Sequence, residues 1–264
     1  MMMKIILSRK GFDKGTGGIP SPILPDGTLL SFPIPTDDKT KFKLSDLHYK
    51  GQSYLDIMNQ LYLNALPNDS YCHLDPDIRE GVVEIEDWKP AFGQVDAAQT
   101  HLKNQKIAIG DLFLFFGWFR QTEYNIDGHL KYKKNAPDIQ AIYGYLQISE
   151  ILTEKSISDY PWHPHASPSY PHNNTLYIPS DKLTFNNEVT KKPGYGVLNY
   201  DISRVLTKEG FGRSKWEILD WFNDVTISYH SETSIKDNYF QSARRGQEFV
   251  ISENQKVSDW AKMI

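Results

Sequence analysis

The stretch Leu112–Phe119 is the longest nearly continuous apolar run in the sequence, and most of its side chains are aromatic. Eight residues are too few to cross a bilayer as a helix, which needs about 20. Aromatic residues favour strands, and they dominate this run. The run therefore predicts the central strand of a sheet, in a protein without a membrane-spanning segment.

Hydrophobic spacing in the rest of the chain predicts strands and helices that do not alternate as β–α–β units. The expected strands are Lys4–Leu7, Ala141–Ile148, Val225–Tyr229 and Gln247–Ile251. The expected helices are Ser53–Leu66, Gln94–Asn104, Lys215–Phe222 and Gln255–Met263. Hairpin turns are expected at Pro25–Gly27 and Asp127–Gly128, and the proline-rich stretch Tyr160–Asn174 is expected to be a long loop. This order predicts the α+β class, with a mixed, mostly antiparallel sheet or partly open barrel and peripheral helices.

Length and composition narrow the class of protein. The 264 residues contain no Gly/Ser-rich or Pro-rich linker, so we expect a single domain over residues 1–264. Hydrophobic residues make up 39% of the chain, which excludes a wholly disordered protein. Because the net charge is −4, any contact with nucleic acid must use local basic patches. One cysteine, Cys72, and an N-terminal apolar run too short for a signal peptide favour the cytoplasm.

A glycine-rich loop follows the first expected strand. Gly15, Gly17 and Gly18 allow backbone conformations in which several N–H groups point at one spot, and such nests bind anions. Arg9 and Lys10 add positive charge beside the loop, so phosphate or a nucleotide is the natural ligand. A flexible turn with solvated cations explains the same residues equally well. The loop matches neither the dinucleotide-binding nor the P-loop pattern, so neither mechanism transfers to it.

Two segments supply side chains of the types that bind metals. Three histidines lie in the proline-rich loop, and a histidine and two aspartates lie near residue 75. The alternative is that the histidines only join the loop to the core by hydrogen bonds, which is the commoner case. The spacing matches no zinc finger and no His-Glu-x-x-His helix. The residues concerned are His163, His165, His172, His73, Asp75 and Asp77.

Two further regions carry polar side chains that suit a nucleotide. Arg244 and Arg245 can bind a phosphate through their guanidinium groups, and Glu248 is either a general base or their ion-pair partner. Gln94 and His101 lie seven residues apart on one expected helix, where they can hydrogen-bond a base or remain on the surface. The sequence leaves each of these alternatives open.

Cysteine and aromatic residues are weaker candidates for chemistry. Cys72 and His73 are adjacent on an expected strand and so point to opposite faces, which favours a buried, inert thiol over a nucleophile. Trp118 and Phe119 also point to opposite faces, so at most one of them can stack on a base while the other packs in the core. No Gly-x-Ser-x-Gly motif is present, which argues against an α/β-hydrolase.

Nine blocks spread along the sequence together resemble a known family. They are Ser8–Asp13, Gly17–Ile23, His73–Asp77, Phe92–Gln94, Ala97–Gln99, His101–Leu102, Gly110–Arg120, Trp162–His165 and Arg245–Phe249. These blocks resemble the bacterial and phage family called nucleotide-modification-associated domain, third type. The resemblance covers nearly the whole chain and implies an association with DNA-base modification systems, without naming a reaction. A second resemblance covers only residues 107–151, where two strands are similar to barrels of the pseudouridine-synthase-associated type. It implies an aromatic pocket for RNA or a modified base.

We therefore predict a protein that recognises or processes a nucleotide or modified nucleobase in a DNA-modification or phage-defence system. DNA is a further candidate partner, and no membrane is involved. An enzyme of this kind would be a hydrolase or transferase acting on a nucleotide or DNA base, because no flavin or dinucleotide motif is present. The alternatives are a non-catalytic reader that holds the modified base in an aromatic pocket, and an interaction scaffold without a small ligand.

The predicted site combines residues from distant parts of the chain. A divalent metal is an open alternative as cofactor, and the sequence indicates no other. The residues expected to take part in chemistry are Asp75, Asp77, His163, His165 and Glu248. The residues expected to bind the ligand are Arg9, Lys10, Asp13, Gly17, Gly18, His73, Gln94, Gln99, His101, Trp118, Arg245 and Gln247.

Overall fold

The computed structural model describes residues 3–37, 41–170, 172–186 and 188–264. Within them the α-helices are α1 Tyr54–Leu61, α2 Asp96–Asn104 and α3 Gln255–Met263. The strands up to α2 are β1 Ile5–Arg9, β2 Ser21–Ile23, β3 Ile34–Thr36, β4 His48–Tyr49, β5 Gln52–Ser53, β6 Tyr71–His73 and β7 Phe92–Gln94. The remaining strands are β8 Leu112–Tyr124, β9 Leu130–Tyr132, β10 Ile139–Thr153, β11 Thr175–Pro179, β12 Thr184–Phe185, β13 Glu188–Val189, β14 Tyr195–Val197, β15 Lys215–Trp216, β16 Phe240–Gln241 and β17 Glu248–Ile251.

One large sheet organises the described residues, in the order β17-β1-β8-β10-β11-β7, with β2 and β9 also paired to β8 and β14 to β10. Strands β1 and β2 run parallel to β8, whereas the other pairs in this sheet are antiparallel. The sheet curls into a half-barrel. Helices α1, α2 and α3 lie against β9, β17 and β1, respectively. The predicted α+β class, with a mostly antiparallel, partly open barrel and peripheral helices, is confirmed.

The two long central strands explain why the sheet curls. Strand β8 pairs with β1 along its first half and with β2 and β9 along its second half. Strand β10 has an irregular register between Ile142 and Gly144, which is typical of a β-bulge. A bulge bends a strand and increases its twist, so one long strand can join two differently oriented parts of a sheet.

The predicted strand at Leu112–Phe119 forms the first part of β8, and the structure buries both of its faces. Leu114 and Phe116 belong to one hydrophobic cluster, together with side chains of α3. Phe113 and Phe115 belong to a second cluster on the opposite face, with Leu102 of α2. A strand covered on both faces needs apolar residues at consecutive positions, which accounts for the missing alternation.

Several local predictions agree with the structure. Helix α3 has the predicted bounds, and Asn254 caps its first turn. The turn at Pro25–Gly27 closes through a hydrogen bond from the Leu24 N–H to the Thr28 carbonyl, and the turn at Asp127–Gly128 joins β8 to β9. None of the helices in the described residues is long and apolar enough to cross a lipid bilayer.

The prediction of a helix at Lys215–Phe222 is wrong. Lys215 and Trp216 form strand β15 instead, and a short 3₁₀ turn follows at Phe222–Asp224. The Trp216 indole is buried in the core and donates a hydrogen bond of 2.6 Å to the Gln140 side-chain oxygen. Trp216, Leu219 and Phe222 have helical spacing, but pairing of β15 with β16 and the buried hydrogen bond of Trp216 favour a strand here.

Other boundaries also differ from the sequence prediction. Helix α1 ends at Leu61 rather than Leu66, because Tyr62 has an extended backbone. Helix α2 begins at Asp96, since Gln94 belongs to β7. The segment Val225–Tyr229 is not a strand and pairs with β17 only through a bridge at Ile227. The predicted loop Tyr160–Asn174 contains a short 3₁₀ turn at Pro164–Ala166, and its residue 171 lies outside the described residues.

Candidate functional site

A cleft with a volume of about 470 Å³ opens where the end of β1 meets β3, β6, β7, the segment before β17 and the stretch from His165 to Tyr170. This volume is within the usual range of small-molecule sites, about 300–1,000 Å³. Eight of the predicted site residues line it, although they come from parts of the sequence far from one another. They are Arg9, Lys10, Asp13, His73, Asp75, Gln94, His165 and Gln247.

Asp75 is the centre of a buried group of polar side chains. Its Oδ1 accepts a hydrogen bond of 2.7 Å from the Gly93 N–H and lies 3.3 Å from His163 Nε2. Its Oδ2 lies 3.9 Å from His73 Nε2. Burial by itself raises the pKa of Asp75, but the contact with His163 and the surrounding imidazoles outweigh it and bring the pKa below its ordinary value. Asp75 is therefore a carboxylate at neutral pH.

His165 is held in one orientation by its neighbours. Its Nδ1 lies 2.7 Å from the Asn174 Oδ1, and the Asn174 amide donates to the carbonyls of His165 and Tyr170. Because this Oδ1 can only accept, Nδ1 carries the proton and Nε2 keeps its lone pair. Burial, the largest effect on this ring, lowers the pKa of His165 to about 3. The imidazole is therefore neutral at ordinary pH.

Close packing against a strand also fixes the His165 ring. A Cβ atom built at Gly93 in β7 would lie 2.3 Å from the His165 Cδ2, which is closer than real contacts allow. Tyr170 covers the other side of the ring in a stacked arrangement, with centroids 5.0 Å apart. Only glycine at position 93 lets the imidazole lie directly on the backbone of the sheet.

Lys10 and Glu248 form a buried ion pair in the cleft wall. The Lys10 Nζ lies 3.0 Å from Glu248 Oε1, and their side chains are 9% and 1% exposed. Gln94 donates a hydrogen bond to the same oxygen. Glu248 Oε2 is buried without a hydrogen-bond partner among the described residues. Because Ser8 pairs with Glu248, Lys10 is the diagonal cross-strand neighbour of the carboxylate.

Arg9 holds the loop that carries Arg244 in place. Its guanidinium donates to the carbonyls of Ala243 and Arg244 and lies over the Phe249 ring. Burial lowers the pKa of Arg9 from its ordinary value. A guanidinium group nevertheless stays protonated at neutral pH. Arg244 itself is exposed and lines the cleft. Its neighbour Arg245, the residue that the sequence indicates, is exposed but does not line the cleft.

Several N–H groups of the glycine loop form hydrogen bonds within the loop. The N–H groups of Gly15 and Thr16 donate to the Asp13 carboxylate, and the Gly18 N–H donates to the Asp13 carbonyl. Gly17 has a left-handed backbone, and a Cβ there would lie 2.1 Å from the Phe12 ring. Anion binding by Gly17 and Gly18 remains a prediction.

Four other predicted residues lie outside the cleft lining. Asp77 accepts a hydrogen bond of 2.9 Å from the Trp88 indole, and burial raises its pKa to about 6. Gln99 accepts from the Tyr177 hydroxyl, His101 contacts the Ser228 hydroxyl, and the Arg213 guanidinium lies 4.0 Å from the Trp118 ring centroid. Their predicted roles in catalysis or binding stay predictions. Cys72 is buried, and burial raises the pKa of its thiol to about 12, which makes it a poor nucleophile.

Sequence reasoning did not single out three residues that shape the cleft: Gly93, Tyr170 and Asn174. It named Arg244 as a phosphate-binding candidate but did not include it in the predicted site. A glycine inside a strand marks a close backbone approach, so Gly93 could have been found. Tyr170 and Asn174 lie in the proline-rich loop that the sequence does indicate, but nothing local pairs Asn174 with a particular histidine.

Comparison with known proteins adds the family. The model of the family described as nucleotide modification associated domain 3 matches residues 4–252, which include every residue lining the cleft. No curated protein and no solved structure matches the chain, so the resemblance of residues 107–151 to pseudouridine-synthase-associated barrels stays a prediction. The chain belongs to the nucleotide modification associated domain 3 family, which gives it a role in nucleotide or base modification systems.

Proposed function

We propose that the cleft binds a nucleotide with an ordinary or modified base and hydrolyses a bond at its phosphate. The setting would be a cytoplasmic DNA-modification or phage-defence system. One observation carries the proposal: cations suited to phosphate and a carboxylate–imidazole group suited to activating water share the same cleft of about 470 Å³. Since both ends of the chain supply lining residues, we also propose that residues 1–264 act as one domain.

The charges of the cleft favour an anionic ligand. Arg9, Lys10 and Arg244 line it together with two carboxylates, Asp13 and Asp75. Arg244 forms no ion pair within the described part of the chain, so its guanidinium is available to a phosphate. The ion pair with Glu248 fixes the Lys10 ammonium group at the cleft wall.

The group formed by His73, Asp75 and His165 supplies the chemistry. It would draw a proton from a water molecule, whose oxygen then attacks the phosphorus atom. A new P–O bond forms as the bond to the leaving oxygen breaks, and that oxygen departs with the electron pair. Lys10 and Arg244 balance the negative charge that builds up on the phosphoryl group. The proton taken from water passes to the leaving oxygen, directly or through solvent, so the products are the phosphate-containing acid and the leaving alcohol or phosphate.

The aromatic pocket of a non-catalytic reader has less support. Trp118 is covered by Arg213, and Tyr143 is buried in the core, so neither presents an open face to a base. Tyr170 is the aromatic side chain at the cleft, where it stacks on His165. A base stacked there would still lie beside the water-activating group.

A matched pair of arginine variants tests nucleotide binding. We expect Arg244→Ala to weaken binding of a nucleoside triphosphate by about tenfold, since one charge-assisted contact of about 1.4 kcal/mol is lost. Arg245→Ala is the control and should change the Kd by less than twofold. Isothermal titration calorimetry against a panel of ordinary and modified nucleotides measures both. An equal loss in the two variants would place the ligand outside this cleft.

Turnover is tested with Asp75→Asn, which keeps the side-chain shape. We expect a fall of about 100-fold in product formation with unchanged nucleotide affinity, because general acid–base groups contribute at least that much. Mass spectrometry of the reaction products provides the measurement, and the exposed Asp237→Asn is the control. Binding without turnover in the wild-type protein would favour the reader instead, and neither binding nor turnover would favour the scaffold.

A further inference from the structure

We propose that His73, Asp75 and His165 bind a divalent transition-metal ion in the cleft, with Zn²⁺ as its representative. One ligand atom from each of the three residues lies within 4.8 Å of the other two. The inference rests on the proposed function for the use of the ion, but not for its binding. Metal binding can therefore be tested without any nucleotide.

The distances are compatible with a metal centre after a small contraction. In a tetrahedral zinc site with bonds of about 2.0–2.1 Å, the ligand atoms lie about 3.3 Å apart. His73 Nε2 and Asp75 Oδ2 are 3.9 Å apart, and no pair in the group exceeds 4.8 Å. Side-chain rotations that close these gaps by roughly 0.5–1.5 Å would satisfy the geometry.

Neighbouring residues contact one carboxylate oxygen of Asp75 and one ring nitrogen of each histidine. The Gly93 N–H holds Asp75 Oδ1, and the Asn174 Oδ1 holds His165 Nδ1. The Tyr170 hydroxyl lies 3.5 Å from His73 Nδ1. With these contacts in place, the metal would be bound through Oδ2 of Asp75 and Nε2 of the two histidines. Outer partners that fix the ring orientation and tautomer of ligating histidines are a usual feature of metal sites.

The donor set indicates which class of ion fits. Two imidazoles and one carboxylate suit zinc and neighbouring transition metals, whereas Mg²⁺ and Ca²⁺ prefer oxygen ligands throughout. Cys72 does not contribute, since its thiol contacts the Phe42 carbonyl. Three protein ligands leave one position open, as in catalytic zinc sites.

That open position would face the nucleotide. All three ligands line the cleft together with Lys10 and Arg244. A metal-bound water loses its proton near neutral pH, which produces the hydroxide that the proposed hydrolysis needs. The ion would therefore supply the water activation assigned to this group, and Lys10 and Arg244 would hold the phosphate next to it.

Metal titration of the purified full chain tests the inference. After treatment with a chelator, the protein is titrated with Zn²⁺ by calorimetry and with Co²⁺ by visible absorption, with Mg²⁺ as comparison. We expect one equivalent of Zn²⁺ or Co²⁺ to bind, with no comparable Mg²⁺ binding. His73→Asn and His165→Gln should each weaken binding at least 100-fold. His172→Ala, an exposed histidine of the same loop, is the control and should bind normally.

A second variant keeps the test decisive if the histidine variants do not fold. Asn174→Ala removes only the partner of His165, and loss of such an outer partner typically weakens metal affinity by about 10–100-fold. Circular dichroism checks that each variant is folded. The inference is overturned by absence of stoichiometric Zn²⁺ and Co²⁺ binding, by equal losses in His172→Ala, or by normal affinity in folded His73→Asn and His165→Gln.

Failure of this inference is distinguishable from failure of the proposed function. Metal binding at the three residues without nucleotide hydrolysis would support the metal site and contradict the hydrolysis. Hydrolysis that continues unchanged after complete removal of metal would contradict the use of the ion in the reaction and support the proposed function with a metal-free base.

Discussion

Replacement of Lys10 by Met lowers the free energy of unfolding by about 3–5 kcal/mol, measured by urea denaturation at neutral pH. The Glu248 side chain is 1% exposed and loses the Lys10 ammonium group, its cationic partner at 3.0 Å. The remaining hydrogen bond from Gln94 does not compensate for an unpaired charge in the protein interior. Nucleotide affinity falls in the same variant, because Lys10 lines the cleft.

A double variant separates these two effects. In Lys10→Met/Glu248→Gln both charges are gone, so we expect most of the lost stability to return while nucleotide affinity stays low. Lys208→Met is the control for an exposed pair, in which Lys208 Nζ lies 2.9 Å from Glu217, and it should cost at most about 1 kcal/mol. If Lys10→Met costs no more than Lys208→Met, the buried pair is not important for stability.

Replacement of Gly93 by Ala disrupts the candidate site with a single methyl group. The added Cβ would lie within 2.6 Å of three ring atoms of His165, so the ring must leave its position. We expect the free energy of unfolding to fall by about 1–3 kcal/mol, as for other overpacked cores. A displacement of about 1 Å at a catalytic group costs about 100-fold in rate, so turnover should fall at least that far.

A compensating change tests whether the clash with His165 is the cause. In Gly93→Ala/His165→Ala the ring is absent, so the stability should recover relative to Gly93→Ala while turnover remains lost. His165→Ala alone serves as the reference for loss of the imidazole. If Gly93→Ala retains wild-type turnover, the orientation of the His165 ring is not needed for the activity.

Local sequence patterns were sufficient for much of the fold. The central strand at Leu112–Phe119, helix α3 and the turns at Pro25–Gly27 and Asp127–Gly128 each depend on residues next to one another in the chain. The wrongly predicted helix at Lys215–Phe222 shows that a local pattern is not sufficient where distant contacts decide the structure. Its large side chains have helical spacing, but Trp216 is buried by groups from β8, β10 and β17, all distant in sequence.

In the candidate site too, local sequence indicates some features and contacts between distant residues decide the others. His73, Asp75 and His165 are indicated by their residue types, and they do lie together. The sequence indicated the adjacent residues Arg244 and Arg245 and placed only Arg245 in the predicted site, whereas Arg244 is the one that lines the cleft. Local patterns do not distinguish two neighbouring arginines, and Arg9 contacts their loop from a distant part of the chain. The pairing of Lys10 with Glu248 likewise follows from the register of β1 against β17, which no local pattern encodes.

The sequence alone determined the α+β class, the central strand and the types of side chain that the proposed site uses. These follow from propensity, hydrophobic spacing and side-chain chemistry, which act over a few neighbouring residues. Only the tertiary structure decided which of those side chains meet, which nitrogen of each histidine faces the cleft and which cation is neutralised. Such properties depend on strand register and on contacts between residues as many as 238 positions apart, where a shift of one residue would turn each side chain to the other face.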